Sequence, residues 1–241
     1  MVDFSKTQAS QTKTSTYDVG LREYMIKVFN YMCVALCITG ATAFGAVSTS
    51  LINLFFTQGG EGFGLSGLGW LFTFAPLVFV FFFAAKIHSV APDKARLMLW
   101  AFSALMGLSL APIFFLYTGA SVARVFFITA SVFASMSIYG YTTKRDLTQI
   151  GSFLMMGLFG IIIASVVNIF LQSPAIYFVS SLIGVVVFTG LTAYDVQKVV
   201  YSYRVLPASQ RDNAAVVGAL SLYLDFINLF IMLLRLFGNR K

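Results

Sequence analysis

The chain has 241 residues, 59% of them hydrophobic and only 10% charged, with a net charge of +7 and a mean hydropathy of +0.85. No soluble domain needs that much apolar surface, so the composition points to an all-α polytopic membrane protein. The apolar runs are long and unbroken, which excludes a transmembrane barrel with its alternating segments of about ten residues. The positive charge calls for no nucleic acid partner, because Lys and Arg fall between the apolar segments, where they set topology.

Residues 1–20 are polar and rich in Ser, Thr and Gln, and are expected to form a disordered tail ahead of a membrane domain over 21–241. No apolar core followed by a small-residue cleavage site is visible there, so the first span is expected to act as an uncleaved anchor. Seven apolar segments follow, each near the roughly 20 residues a helix needs to cross the hydrocarbon. The first runs from about Val28 to Phe56. It carries Cys33 and Cys37, four apart and so on one face. With no His or third Cys nearby, they read as small buried packing residues. The stretch Gly59 to Gly69 comes next and contains Gly62-Phe63-Gly64-Leu65-Ser66-Gly67, which matches the dinucleotide pattern GxGxxG. No strand is expected before it and a span follows, so it reads as a flexible extracytoplasmic loop. The second segment is Leu68 to Ala85. His88, the only histidine, falls in the short polar loop after it and is expected to be solvated. The third segment is Leu97 to Tyr117, the fourth Val122 to Tyr139 and the fifth Ser152 to Leu171. The sixth begins near Ile176 and continues as an amphipathic helix to about Tyr203, and the seventh runs from about Ala215 to Phe237. Trp70, Trp100, Tyr117, Tyr139, Tyr141 and Tyr177 fall near segment ends, as an aromatic belt would.

Seven spans with a cytoplasmic N-terminus place twelve Lys and Arg inside. These are Lys6, Lys13, Arg22, Lys27, Lys86, Lys94, Arg96, Lys144, Arg145, Lys198, Arg204 and Arg211. Four lie outside: Arg124, Arg235, Arg240 and Lys241. The asymmetry supports that orientation. The last three outside charges run against it and would suit a re-entrant seventh segment, but seven full spans is the preferred reading.

Two carboxylates stand out. Asp195 lies about eight residues from the end of the sixth segment and Asp225 about ten residues into the seventh, which starts on the same side. At about 1.5 Å per residue both are expected roughly 12 to 15 Å from the cytoplasmic helix ends. Ionisable groups at that depth are expensive and mark function by default. Antiparallel helices joined by a short loop pack as neighbours, so similar depth implies contact. On the seventh segment Ser221, Asp225, Asn228, Met232 and Arg235 follow 4, 3, 4, 3 spacing along one stripe. Thr192 sits one turn before Asp195 on its face. These polar groups either line a pathway or only hydrogen-bond helices together. Two touching carboxyls hold one shared proton more cheaply than they both ionise. Losing that proton at higher pH leaves two repelling charges, or a site for a hard cation such as Ca²⁺.

The segment Gly190-Leu191-Thr192-Ala193-Tyr194-Asp195-Val196-Gln197-Lys198 closely resembles the signature of the Bax inhibitor-1, or transmembrane Bax inhibitor motif, family. Leu222-Tyr223-Leu224-Asp225-Phe226-Ile227-Asn228-Leu229-Phe230 is similar to its last helix. Tyr139-Gly140-Tyr141-Thr142-Thr143-Lys144-Arg145-Asp146-Leu147 resembles its bacterial branch. The likeness covers nearly the whole chain after the tail. It implies six helices wrapped around a central seventh, and a pH-dependent calcium leak in which Asp195 and Asp225 are sensor and gate. No tightly bound cofactor is implied, with Ca²⁺ as permeant ion and a transient ligand of the two aspartates. The family pattern places an Arg near the end of the second helix as partner to the aspartates. Lys86 is the nearest basic residue here, and it keeps the charge but lacks the bidentate fork. The second segment also carries no carboxylate. The resemblance further implies residence in the bacterial inner membrane, where relatives are associated with an FtsH-type membrane protease. A non-conducting regulator that binds such a protease through the N-terminal tail is therefore the alternative function. Paired aspartates on the last two spans also resemble intramembrane aspartyl proteases. Those expect Gly-x-Gly-Asp where this chain has Leu222-Tyr223-Leu224-Asp225, and a later Pro-Ala-Leu that is missing, so no enzyme and no catalytic residue is expected.

Overall fold

A computed structural model describes residues 4–49, 56–59, 62–87 and 90–241. Helix α1 (Phe4–Ser48) is followed by strands β1 (Phe56–Gly59) and β2 (Gly62–Leu65). Then come α2 (Gly67–Lys86), α3 (Pro92–Leu110), the short α4 (Ile113–Leu116) and α5 (Gly119–Thr142). Last are α6 (Thr148–Leu171), α7 (Pro174–Val205) and α8 (Ala208–Phe237). Among the described residues six helical spans are long and apolar enough to cross a bilayer. The 20-residue α2, about 30 Å long, makes the seventh. The protein is an all-α polytopic membrane protein. His88 lies outside the described residues.

Local chemistry sets the breaks between spans. Ser66 caps α2 by accepting the Gly69 amide at 3.0 Å. Pro112, which has no amide hydrogen to donate, separates α3 from α4. Gln172 ends α6 in the left-handed region at φ 48°, and the Asn168 side chain accepts the Ser173 amide at 2.9 Å. Pro174 then opens α7 in its first turn, where its missing N–H costs nothing. At the other end of α7 the Arg211 guanidinium lies 4.1 Å over the Tyr203 ring and donates to the Leu206 carbonyl. That corner turns α7 directly into α8.

α8 is the axis of the bundle. In it 72% of the spanning window is buried, against 11–39% in the other long spans. Apolar burial does not itself drive helices together in lipid, so close packing has to do so. Small residues allow it: a Cβ on Gly140 of α5 would run into the Ala193 backbone of α7, and one on Gly218 of α8 into Val199. Polar groups add to it at mid-bundle. Thr39 of α1 donates to the carbonyls of Ala35 and Ser103, both at 2.9 Å. It therefore accepts from the Tyr223 hydroxyl of α8 at 2.7 Å.

The two ends of the bundle differ. The end where α7 meets α8 also holds the first residues of the α1 span, the α2–α3 loop and the α5–α6 loop. It is called the mouth below. At the far end, residues 239–241 fold back on the loop before α5. The Thr118 amide donates to the Asn239 carbonyl at 3.1 Å and the Lys241 amide to the Leu116 carbonyl at 3.1 Å. Arg235 and Arg240 stack there over Tyr177, at 5.0 and 5.6 Å.

Two expectations need correction. The glycine-rich stretch is no open loop: β1 and β2 pair antiparallel, with Phe56 opposite Leu65 and Gly59 opposite Gly62. GxGxxG thus lies within a hairpin strand and a helix cap. Cys33 and Cys37 do share a face of α1, but that face is exposed. Every face of this span is apolar enough for lipid, so composition could not tell which one packs. Helix α1 runs from Phe4 into the first span.

Candidate functional site

Asp195 and Asp225 lie on α7 and α8, consecutive helices joined by Leu206 and Pro207 alone. Two contacts fix their register: Gly218 with Val199, and Gly184 with Met232. In an antiparallel pair these contacts put Asp195 level with Ser221, and Asp225 level with Leu191 and Thr192. Asp225 is therefore deeper than Asp195 by about one helical turn, roughly 5 to 6 Å. The expected depths of roughly 12 and 15 Å already set Asp225 deeper by about 3 Å, and the packing register widens that offset.

Side-chain direction closes much of the offset. A Cα–Cβ bond tilts toward its own helix N-terminus. The N-terminus of α7 lies at the far end and that of α8 at the mouth. Asp195 therefore leans inward and Asp225 leans outward, each toward the other.

A cavity of about 420 Å³ opens from the mouth between the two helices. Its walls include Asp195, Lys198, Ser202, Asn213, Gly218 and Ser221, and Asp225 lies one turn past Ser221. Asp195 is half-buried at its inner end. Asp225 is only 6% exposed, and its Oδ2 is buried with no hydrogen-bond partner. A buried polar atom without a partner is costly and rare, and calls for an explanation. The stripe on α8 meets α7 at several positions: Ser221 lines the cavity, Met232 meets Gly184, and Arg235 covers Tyr177.

The other sequence-derived candidates sit as follows. Thr192 is fully buried and donates to its own helix at Phe188 O, 2.8 Å. Asn228 donates to Leu224 O at 2.8 Å, again within its own helix. Lys86 is exposed in the last turn of α2. A basic residue on the same cavity wall as Asp195 is Lys198, three residues further along α7. Spacing alone could have found it, because i and i+3 share a helix face. Asn213 was also not anticipated. Its Nδ2 donates to the carbonyls of Ile87 and Val90, at 3.1 and 3.0 Å, which ties the α2–α3 loop to the mouth. Its Oδ1 is buried without a partner. Among the described residues no group of three or more His, Cys, Asp or Glu could hold a metal ion.

A seven-helix bundle with a buried acidic pair between its central helix and the preceding one defines a class of polytopic membrane protein. The family model described as inhibitor of apoptosis-promoting Bax1 matches residues 21–241. The chain is 44% identical to the uncharacterized protein RP147 of Rickettsia prowazekii, over the full length of both. It is 43% identical to the inner membrane protein YbhL of Escherichia coli, covering 92% of this chain and 94% of that one. An uncharacterized membrane protein of Streptococcus pyogenes is 34% identical over 92% of this chain. The chain belongs to the Bax inhibitor-1 family.

Proposed function

We propose that this protein is a pH-sensitive calcium, or more broadly cation, leak channel of the inner membrane. In this reading Asp195 and Asp225 are its gate and the mouth faces the cytoplasm. The observation that carries the reading is the Asp225 Oδ2 atom, buried and unpartnered one turn behind a cavity that leads to a second carboxyl. A proton held between the two carboxyls satisfies that oxygen and ties α7 to α8. When pH rises and the proton leaves, two like charges remain in a poorly solvated place, and they separate or take up a cation. Ca²⁺ takes six to eight oxygen ligands, so two carboxylates would hold it only together with water. Such binding suits a passing ion better than a resident one. The orientation follows from the charge asymmetry, with the basic loops at the mouth. The printed name of the Escherichia coli relative supports the inner membrane as location.

Calcium flux into liposomes carrying the purified protein tests this. Flux is expected to rise with pH. Asp225→Asn or Asp195→Asn should hold it near its low-pH level throughout, because an amide can keep the hydrogen bond but cannot ionise. Absence of flux at any pH, or a profile unchanged by both substitutions, would rule the reading out.

A further inference from the structure

The loop between α5 and α6 is firmly built. Gln197 of α7 donates from Nε2 to the Arg145 carbonyl at 2.8 Å and accepts the Leu147 amide at 2.9 Å. Leu147 is buried beneath it. The loop, the end of α5 and the last turns of α7 enclose a cavity of about 860 Å³. This lies within the range of about 300–1,000 Å³ common to ligand sites.

Its walls carry Lys144, Arg145, Lys198 and Arg204 against one acid, Asp146. That carboxylate is occupied within the loop. It accepts the Thr148 amide at 2.9 Å, and with the Thr148 hydroxyl this holds its pKa below the usual carboxylate value. None of the four cations has a salt-bridge partner; the salt bridges among the described residues are Lys27–Asp212 and Arg96–Asp93. Like charges gathered around one cavity repel, and an anion placed among them relieves this. Tyr141 and Tyr201 also line the cavity and are exposed, and such amphipathic rings settle at headgroup level. The cavity thus sits where three spans leave the membrane.

We propose that this cavity binds the phosphate of an anionic phospholipid headgroup, held by Lys144, Arg145 and Arg204. Guanidinium forks suit phosphate oxygens, and basic pockets between spans attract anionic headgroups. The site does not depend on what the aspartates do. Lys198, which stands between the two cavities, belongs to both walls.

The test uses the full chain in nanodiscs of phosphatidylcholine with or without phosphatidylglycerol, and native mass spectrometry to count retained anionic lipid. Wild type should retain phosphatidylglycerol. Each of Lys144→Gln, Arg145→Gln and Arg204→Gln should weaken retention about fivefold, while Arg235→Gln at the far end leaves it unchanged. Thermal unfolding in pure phosphatidylcholine identifies any variant that fails to fold, and the remaining single variants then decide. Equal retention in all folded variants overturns the proposal. An inorganic phosphate arm separates the sources. Displacement of the lipid by millimolar-range phosphate would assign the site to a soluble phosphate and overturn the lipid assignment, whereas retention of the lipid supports it.

Discussion

Tyr223 and Asp225 are two residues apart on α8, both buried, and they point to different sides of the central helix. Tyr223 is fully buried, and its hydroxyl ends on Thr39, which in turn bonds two carbonyls. Both hydroxyls of that node have partners. Asp225 leaves Oδ2 without one, beside a cavity and a second carboxyl. A satisfied polar group inside a membrane holds helices in one arrangement, whereas an unsatisfied one has a second state to go to once a proton or ion is exchanged. In the proposed reading one helix thus carries a fixed strut on one side and a switch on another, the strut keeping α8 in place while α7 responds to the switch.

The largest expected effect falls on the switch. In liposomes at alkaline pH, Asp225→Asn should lower calcium flux at least about tenfold, since two like charges near contact repel by roughly 4 kcal/mol at an effective dielectric of 20. A substitution on the frame should act on stability instead. Gly140→Leu drives a side chain into the Ala193 backbone, which cannot yield as a flexible side chain would. A loss of about 1–3 kcal/mol is expected, measurable by unfolding in mixed micelles. Tyr223→Phe removes one hydrogen bond of the strut and should cost about 0.6–1.7 kcal/mol. The pH profile of flux should stay where it was, and a profile shifted as far as that of the aspartate variants would erase the distinction between strut and switch. The smallest effect belongs to the Lys27–Asp212 pair, 2.6 Å apart with side chains 38% and 55% exposed. Lys27→Ala should cost no more than about 1 kcal/mol, and less at high salt.

Much of this was legible in the sequence because lipid imposes a simple demand. Apolar runs of membrane length give seven spans in order, and α7, from Pro174 to Val205, ends within two residues of the expected boundary. The costly residues, Asp195 and Asp225, are conspicuous against an apolar background. The 4, 3, 4, 3 stripe on α8 likewise marks the side that meets α7. Relations between helices were hidden. The one-turn offset of the aspartates follows from where Gly218 and Gly184 admit Val199 and Met232, which no single-helix pattern encodes. The Thr39–Ser103–Tyr223 node joins three distant segments through ordinary residues. The hairpin at Phe56–Leu65 is hidden because its first strand falls at the end of an apolar run and its second in the glycine-rich stretch Gly59 to Gly69, so neither carries a strand pattern. The cationic cavity needs the α5–α6 loop folded onto Gln197 before its charges converge.

In the proposed reading one proton shared by Asp195 and Asp225 controls the gate. Infrared difference spectroscopy of the carboxyl C=O stretch across a pH titration, run beside calcium flux on the same liposomes, tests it most directly. A protonated-carboxyl band is expected that is absent in the Asp225→Asn variant and that disappears over the same pH interval in which flux rises. A band that persists while flux rises, or flux that rises with no such band at any pH, would contradict it.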